Sequence, residues 1–371
     1  MDGSSHCMIT VVGAGPSGSF AAYKLANAGE QVMVLEEHSA VGLPVACTGL
    51  VTSFIHKILK VPENAIINTV KKARIHAPGS GFVEVKFRKA NLVLDRQKFD
   101  HALVSMAQKA GTHVLLDHKF VGTTGQNILV RHKQKLLKLK SDKIIGADGP
   151  LSQVARTYGL WGKRKFWVGA QVRAMLRNDN AIEFFPAVGT FAWVVPESRG
   201  LARIGVLAKK NAHAVLQGFL KSLPCTKVID RQAGLVPIYN RHVPSQNQNV
   251  YLVGDAAMQV KATTGGGIIS GLLASQCLAD AILQQGHYER LWKKSVGRNL
   301  AFHLVVRKTL DRFAEKDYNR LVSLCSSERV KNVLSEIDRD NPKALFFRLI
   351  AADPRLLFFA RMLLKQSREA V

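Results

Sequence analysis

The segment Ile9-Thr-Val-Val-Gly13-Ala-Gly15-Pro16-Ser-Gly18 constrains this chain more than any other. A β-branched strand runs straight into G-x-G-x-x-G. A helical pattern follows over 19–28, and a second strand over 31–35 ends on Glu36. That order is the signature of a dinucleotide held on a βαβ unit. Gly13 permits the tight turn, Gly15 lets backbone approach a pyrophosphate, and Gly18 lets helix and strand pack closely. Pro16 opens the helix, whose free N–H groups and dipole face the phosphates. Glu36 stands where a carboxylate accepts hydrogen bonds from the adenosine ribose.

The far half of the chain bears on which dinucleotide this is. Asn249-Val-Tyr-Leu-Val-Gly254-Asp255 reads as a buried strand ending in Gly-Asp, and Thr263-Thr-Gly265-Gly266-Gly267 opens an apolar helix at Ile268. A second glycine-rich helix start so far along the chain suits a long flavin cofactor. Asp255 is placed to hold a ribityl hydroxyl. The amides around Gly266 and Gly267 face the pyrimidine end of the ring, where negative charge gathers on reduction. Between the two lies Lys143-Ile-Ile-Gly-Ala-Asp148-Gly149-Pro-Leu-Ser152, another strand-to-helix turn with an acid at its tip. Each piece alone is also an ordinary turn.

Together the three resemble the FAD-dependent reductases and hydroxylases typified by the p-hydroxybenzoate hydroxylase fold, where GxGxxG, DG and GD occur in this order. The resemblance implies a Rossmann-type FAD-binding domain interwoven with an antiparallel-sheet substrate domain, in the α/β (α+β) class. It extends to Leu94-Asp95-Arg96-Gln-Lys-Phe99-Asp100 and implies that Arg96 opens a helix packed against the cofactor. Within that superfamily three stretches are similar to the geranylgeranyl reductase family. Gly42-Leu-Pro44-Val-Ala46-Cys47-Thr48-Gly49 resembles its P-x-x-C-x-G loop at the flavin, and 260–267 its glycine-rich loop. Phe191-Ala-Trp193-Val-Val-Pro196 followed by Gly205 resembles its Y-x-W-x-F-P…G-x-G substrate wall. The chain departs from the pattern at Phe191, Val195, Leu207, Met258 and Ala262, mostly on the substrate side.

The resemblance therefore implies FAD contacts from Gly13, Gly15, Pro16, Gly18, Glu36, Ala46, Cys47, Gly49, Arg96, Val121, Asp255, Gly266, Gly267 and Ile268. It implies substrate contacts from Phe191, Trp193 and Pro196. Cys47, the one cysteine in an expected flavin loop, is the candidate catalytic residue, as a proton donor or a group that tunes the flavin; a small buried hydrophobe is the plainer alternative. Trp193 and Phe191 share a strand face, which suits either an isoprenoid chain or core packing. The reaction this implies is hydride reduction of C=C bonds in geranylgeranyl chains of archaeal-type lipid precursors. The alternative is an FAD monooxygenase or halogenase acting on a small aromatic.

Composition narrows the partners. Lys and Arg total 52 against 27 acids, a formal charge of +25, which suits nucleic acid, an anionic membrane or an acidic substrate. No stretch resembles a nucleic-acid reader; an anionic membrane surface fits the charge, and a prenylated lipid is the partner the family resemblance implies. Basic drift without function is the plain alternative. The electron donor, ferredoxin or NAD(P)H, is left open, since no second Rossmann fingerprint is present. Five scattered cysteines without a C-x-x-C pair argue for a reducing cytoplasm and against a metal site. No apolar run is long enough to span a bilayer, and no leader precedes the first strand, so a cytoplasmic protein that binds membranes peripherally is expected.

Laid over the strand and helix pattern, the resemblance implies an FAD-binding part over 1–60, 92–160 and 245–287, a substrate part over 61–91 and 161–244, and a helical, basic region over 288–371. Strand alternation over 120–139 suggests a β-meander beside the adenosine, with Val121 on it. The apolar, arginine-interrupted stretch 344–365 suits a lid over an apolar tunnel or an interfacial helix pair.

Overall fold

The computed structural model describes residues 7–79, 81–336 and 342–359. Two large sheets organise it. The first has six strands. Its parallel body aligns Met8–Val12 with Gln31–Leu35 on one side and Lys143–Gly146 on the other, extended by His113–Leu115 and Val250–Leu252. Gln246–Asn247 adds an antiparallel edge. These strands are short, apolar runs, as expected of a sheet covered on both faces. Helix Pro16–Ala26 lies between helices Arg96–Lys109 and Ile268–Leu283 on one face. Ser17 and Gly271 meet there so closely that a methyl on Gly271 would fall 2.3 Å from the Ser17 hydroxyl.

The second sheet has eight strands, including Ile66–His76, Phe82–Leu94, Phe166–Met175, Phe191–Ser198 and Leu201–Ala208. Its faces are separated by strict alternation. Ala192 and Val194, Ala202, Ile204 and Val206 point to a core covered by helix Ala212–Lys221 through Leu216 and Phe219. Phe191, Trp193 and Val195 point the other way, with Leu207. The sheet is mixed rather than antiparallel throughout: Ala181–Phe185 pairs in parallel with Ile66–His76. A parallel pair needs a long crossover, and here the chain travels through the first sheet between the two strands. Leu50–Val51 pairs with the end of Phe82–Leu94, and a 3₁₀ turn over Ser53–Lys57 follows it.

A three-stranded meander of His118–Thr124, Asn127–His132 and Lys135–Lys140 flanks the first sheet. Beyond residue 287 the described chain is helical, and Arg298–Leu310 and Pro342–Ala352 pack against each other. No described helix is long and apolar enough to cross a membrane. Of the stretch 344–365, residues 360–365 lie outside the described residues.

Candidate flavin and substrate site

The three glycines of the first loop do different work. Gly13 has φ +103°, and a Cβ there would lie 2.5 Å from the Ala147 carbonyl oxygen. At Gly18 a Cβ would lie 2.1 Å from the Gly13 carbonyl and 2.9 Å from the Ala147 methyl. Gly15 is extended, with φ −68° and ψ 176°, and a Cβ there would meet nothing within 4 Å. Two glycines are thus closed off by protein while the middle one faces open space at a helix start. Pro16 sits in the first turn, where its missing N–H is no loss. A pyrophosphate fits this cradle, because the space before Gly15 and the free amides of the new helix are both present.

Glu36 is buried beside it. One carboxylate oxygen accepts the Ala14 N–H at 2.8 Å. The other accepts the His38 N–H at 3.0 Å and meets its Nδ1 at 2.6 Å. The carbonyl of Glu36 accepts the His118 N–H at 2.8 Å, which sets the meander against this end of the cradle. Val121 follows on that strand, half-buried at a bulge between Phe120 and Gly122. Asp148 has no free carboxylate: it accepts the Ser152 hydroxyl at 2.6 Å and the Val154 N–H at 3.0 Å, holding its own turn.

The second loop comes within reach of the first. Gly254 has φ +69° and abuts Ser17, and a Cβ on Gly267 would lie 3.0 Å from Oδ1 of Asp255. Burial pushes the Asp255 carboxyl up to about 6. Arg96 forks onto Asp100 at 3.0 and 2.8 Å. Burial alone would lower its pKa, but Asp100 and the neighbouring Cys47 sulfur raise it above the usual range. Its charge also bears on Asp255. Arg96 thus lies beside Cys47 and within electrostatic reach of Asp255, although the sequence separates the three widely. The Cys47 sulfur accepts the Gly49 N–H at 3.3 Å.

A cavity of about 580 Å³ joins the Cys47 and Asp255 loops to the second sheet, with Arg96 behind its lining rather than on it. Ala46, Cys47, Gly49, Asp255, Gly266, Gly267 and Ile268 all line it, as do Phe191 and Trp193. Pro196 does not: strand alternation puts Val195, not Pro196, on the cavity face, and this corrects the expected substrate contact. Gly13, Gly15, Pro16, Gly18 and Glu36 form the separate cradle, and Val121 lies on the meander strand that begins beside Glu36. Several lining residues escaped the sequence reading. Phe302 and Phe346 close one side from the carboxy-terminal helices, edge to face at 5.5 Å. His303 is buried on the wall, with Nδ1 2.8 Å from the Thr263 hydroxyl. Gln171 is buried in the floor. Among the described residues no His/Cys/Asp/Glu group is arranged to hold a metal ion.

The parallel sheet, glycine cradle and second glycine-rich helix start define a Rossmann-type, dinucleotide-binding class of protein. Residues 11–56 match the model of the NAD(P)-binding Rossmann-like domain. The chain is 30% identical to the digeranylgeranylglycerophospholipid reductase of Methanothrix thermoacetophila, over 92% of this chain and 98% of that protein. It is 27% identical to the enzyme of that name from Methanosarcina acetivorans, over 98% and 97%. The chain belongs to the digeranylgeranylglycerophospholipid reductase family. Its fold matches that of a geranylgeranyl bacteriochlorophyll reductase-like protein from Thermoplasma acidophilum, with TM-score 0.83, 24% identity and coverage of 98% and 100%. The flavin-dependent halogenase CmlS shares the fold more distantly, with TM-score 0.69, 15% identity and coverage of 95% and 78%.

Proposed function

We propose that this protein binds FAD and reduces C=C bonds in the geranylgeranyl chains of isoprenoid lipid precursors. The observation that carries the reading is one continuous apolar cavity. It runs from the flavin-facing loops at Cys47 and Gly266 to the aromatic wall at Phe191 and Trp193 and on to Phe346. A flavin in its reduced state supplies hydride chemistry. The chain's own residues bind, orient and exclude water. The cradle at Gly15 with Glu36 holds the adenosine end. Asp255 and the amides at Gly266 and Gly267 hold the other. Phe191, Trp193 and Phe346 pack an isoprenoid chain, and the Cys47 thiol donates the proton for the second alkene carbon.

The domain division follows the same logic. Residues 1–60, 92–160 and 245–287 serve the cofactor, 61–91 and 161–244 the substrate, and the helices after 287 roof the cavity. Phe347, Leu357 and Phe358 are exposed by 68%, 46% and 42% on these roofing elements. With a net charge of +25, they support peripheral docking on an anionic membrane, where the lipid resides. Either ferredoxin or NAD(P)H serves as electron donor.

The deciding experiment photoreduces the flavin anaerobically and adds a geranylgeranyl glycerolipid. Reoxidation, with the product heavier by two hydrogens per reduced bond, is expected. No reoxidation by lipid, with oxygen uptake on a small aromatic substrate instead, would replace this reading by a monooxygenase or halogenase.

A further inference from the structure

We infer that Gln171 is the positioning residue that couples the aromatic wall at Trp193 to the Cys47–Thr48 turn. Four strands of the second sheet place one row of residues side by side. Gln232 pairs with Gln171, Gln171 with Gly205, and Gly205 with Trp193. Because Gly205 has no side chain, the indole of Trp193 lies flat across it. A Cβ on Gly205 would fall 2.3 Å from the indole ring. Crossing that gap brings Nε1 of Trp193 to 3.0 Å from Oε1 of Gln171. The Thr48 hydroxyl donates to the same oxygen at 2.7 Å.

The orientation of this amide follows from chemistry. An indole N–H only donates, so the carbonyl end of Gln171 must face Trp193. Its NH₂ then faces Gln232, donating to Oε1 at 2.8 Å, and reaches toward the Cys47 carbonyl at 3.5 Å. Gln232 in turn directs its own NH₂ to Asp230 at 3.1 Å. The polarity runs one way from Trp193 to Asp230, and Thr48 joins it at Gln171. On its other side, the Thr48 carbonyl accepts from Arg203 at 2.5 Å, and Arg203 pairs with buried Glu197 at 2.6 Å. The turn that carries Cys47 is therefore pinned twice, and one pin also holds the residue that packs substrate. The network is buried at its Trp193–Gln171 end and opens toward solvent at Asp230, and its buried end has few alternative arrangements. A shift of the indole moves the acceptor that Thr48 needs.

The inference rests on the flavin reading of the Cys47 loop, and its test separates the two. In the flavin-loaded, full-length protein, Trp193→Phe removes the N–H and keeps an aromatic wall, while Gln171→Met removes the acceptor at similar volume. Visible circular dichroism of the bound flavin reports the loop without any substrate. Trp193→Phe should change that spectrum in the wild-type background and add nothing in Gln171→Met. Gln171→Glu, which keeps both accepted hydrogen bonds, should restore the effect. Anaerobic reoxidation by a geranylgeranyl glycerolipid should show kcat lowered about tenfold in each single variant with KM within about twofold, and the double variant no worse than the worse single. Multiplying effects, or a Trp193→Phe change that persists in Gln171→Met, would overturn the coupling. Should Gln171→Met fail to fold, Thr48→Val removes the branch that joins the Cys47 turn to Gln171 and is read the same way. If wild type is not reoxidised by the lipid while the spectral cycle behaves as stated, the substrate reading fails and the coupling stands.

Discussion

Gly18 approaches Gly13 so closely that a methyl group on Gly18 would sit 2.1 Å from the Gly13 carbonyl oxygen. Gly15, midway between them, has open space. The same residue type at three positions of one loop should therefore give two different failures. Gly18→Ala should destabilise the fold by overpacking, about 1–3 kcal/mol, seen as a lowered Tm of flavin-free protein. Gly15→Val should leave that Tm within a degree or two of wild type, as about 0.5 kcal/mol or less is at stake, and should give colourless protein. A yellow Gly15→Val variant with full flavin occupancy would remove the cradle from its role.

Glu36→Ala loses the acceptor for Ala14 at the cradle. Flavin affinity should fall by about 1–3 kcal/mol, the range for a hydrogen-bonded charged group, measured by equilibrium titration. An unchanged dissociation constant would leave Glu36 as a structural link between the first loop and His38.

The Asp255 carboxyl has its pKa raised by burial to about 6, so the folded protein binds its proton more tightly than the unfolded chain. Stability from this group is present below the unfolded value near 4 and is lost as pH rises through 6. Asp255→Asn removes the penalty. The flavin-free variant should match wild type near pH 4 and exceed it above pH 6 by on the order of 2 kcal/mol, measured by urea unfolding, while binding flavin less tightly. Equal stability at pH 7 would show that water reaches the carboxylate.

Cys47→Ser should retain flavin and slow lipid-driven reoxidation, by about a hundredfold if the thiol delivers the proton. Unchanged rates with unchanged product would make Cys47 a packing residue in the loop.

Replacing Phe347 and Phe358 by Ser should weaken co-sedimentation with anionic liposomes at low salt and leave neutral liposomes unaffected. Loss of about 1.5–3 kcal/mol per fully inserted aromatic is the scale. Equal sedimentation of variant and wild type would place any membrane contact elsewhere.

The glycine-rich half was legible because its geometry is local. A strand, a glycine turn and a helix start occupy adjacent residues, so the turn at Gly13, Gly15 and Gly18 and the helix start after Gly266–Gly267 could be read by spacing. That Cys47 lines the same cavity as the second of these loops was legible only through the family resemblance. The cavity floor was not legible, since Gln171, Gly205 and Trp193 become neighbours only through strand register. The available hints were a glutamine inside an apolar strand and a glycine facing a tryptophan. Pro196 was misplaced by counting along a motif rather than alternating across it. His303, Phe302 and Phe346 come from helices whose packing no local pattern announces, and Asp148 showed an acid at a turn serving only that turn.

The parallel seam between Ile66–His76 and Ala181–Phe185 also bears on how the protein is made. As the chain leaves the ribosome, the Ile66–His76 and Phe82–Leu94 hairpin can form early, but its partner strand is about a hundred residues behind. Until then the hairpin presents an unpaired edge, a template for pairing with other chains. Contacts this distant in sequence slow folding. Synthesis should therefore depend on chaperones that shield the nascent edge, and chains stalled before residue 181 should aggregate more readily than those stalled after residue 208.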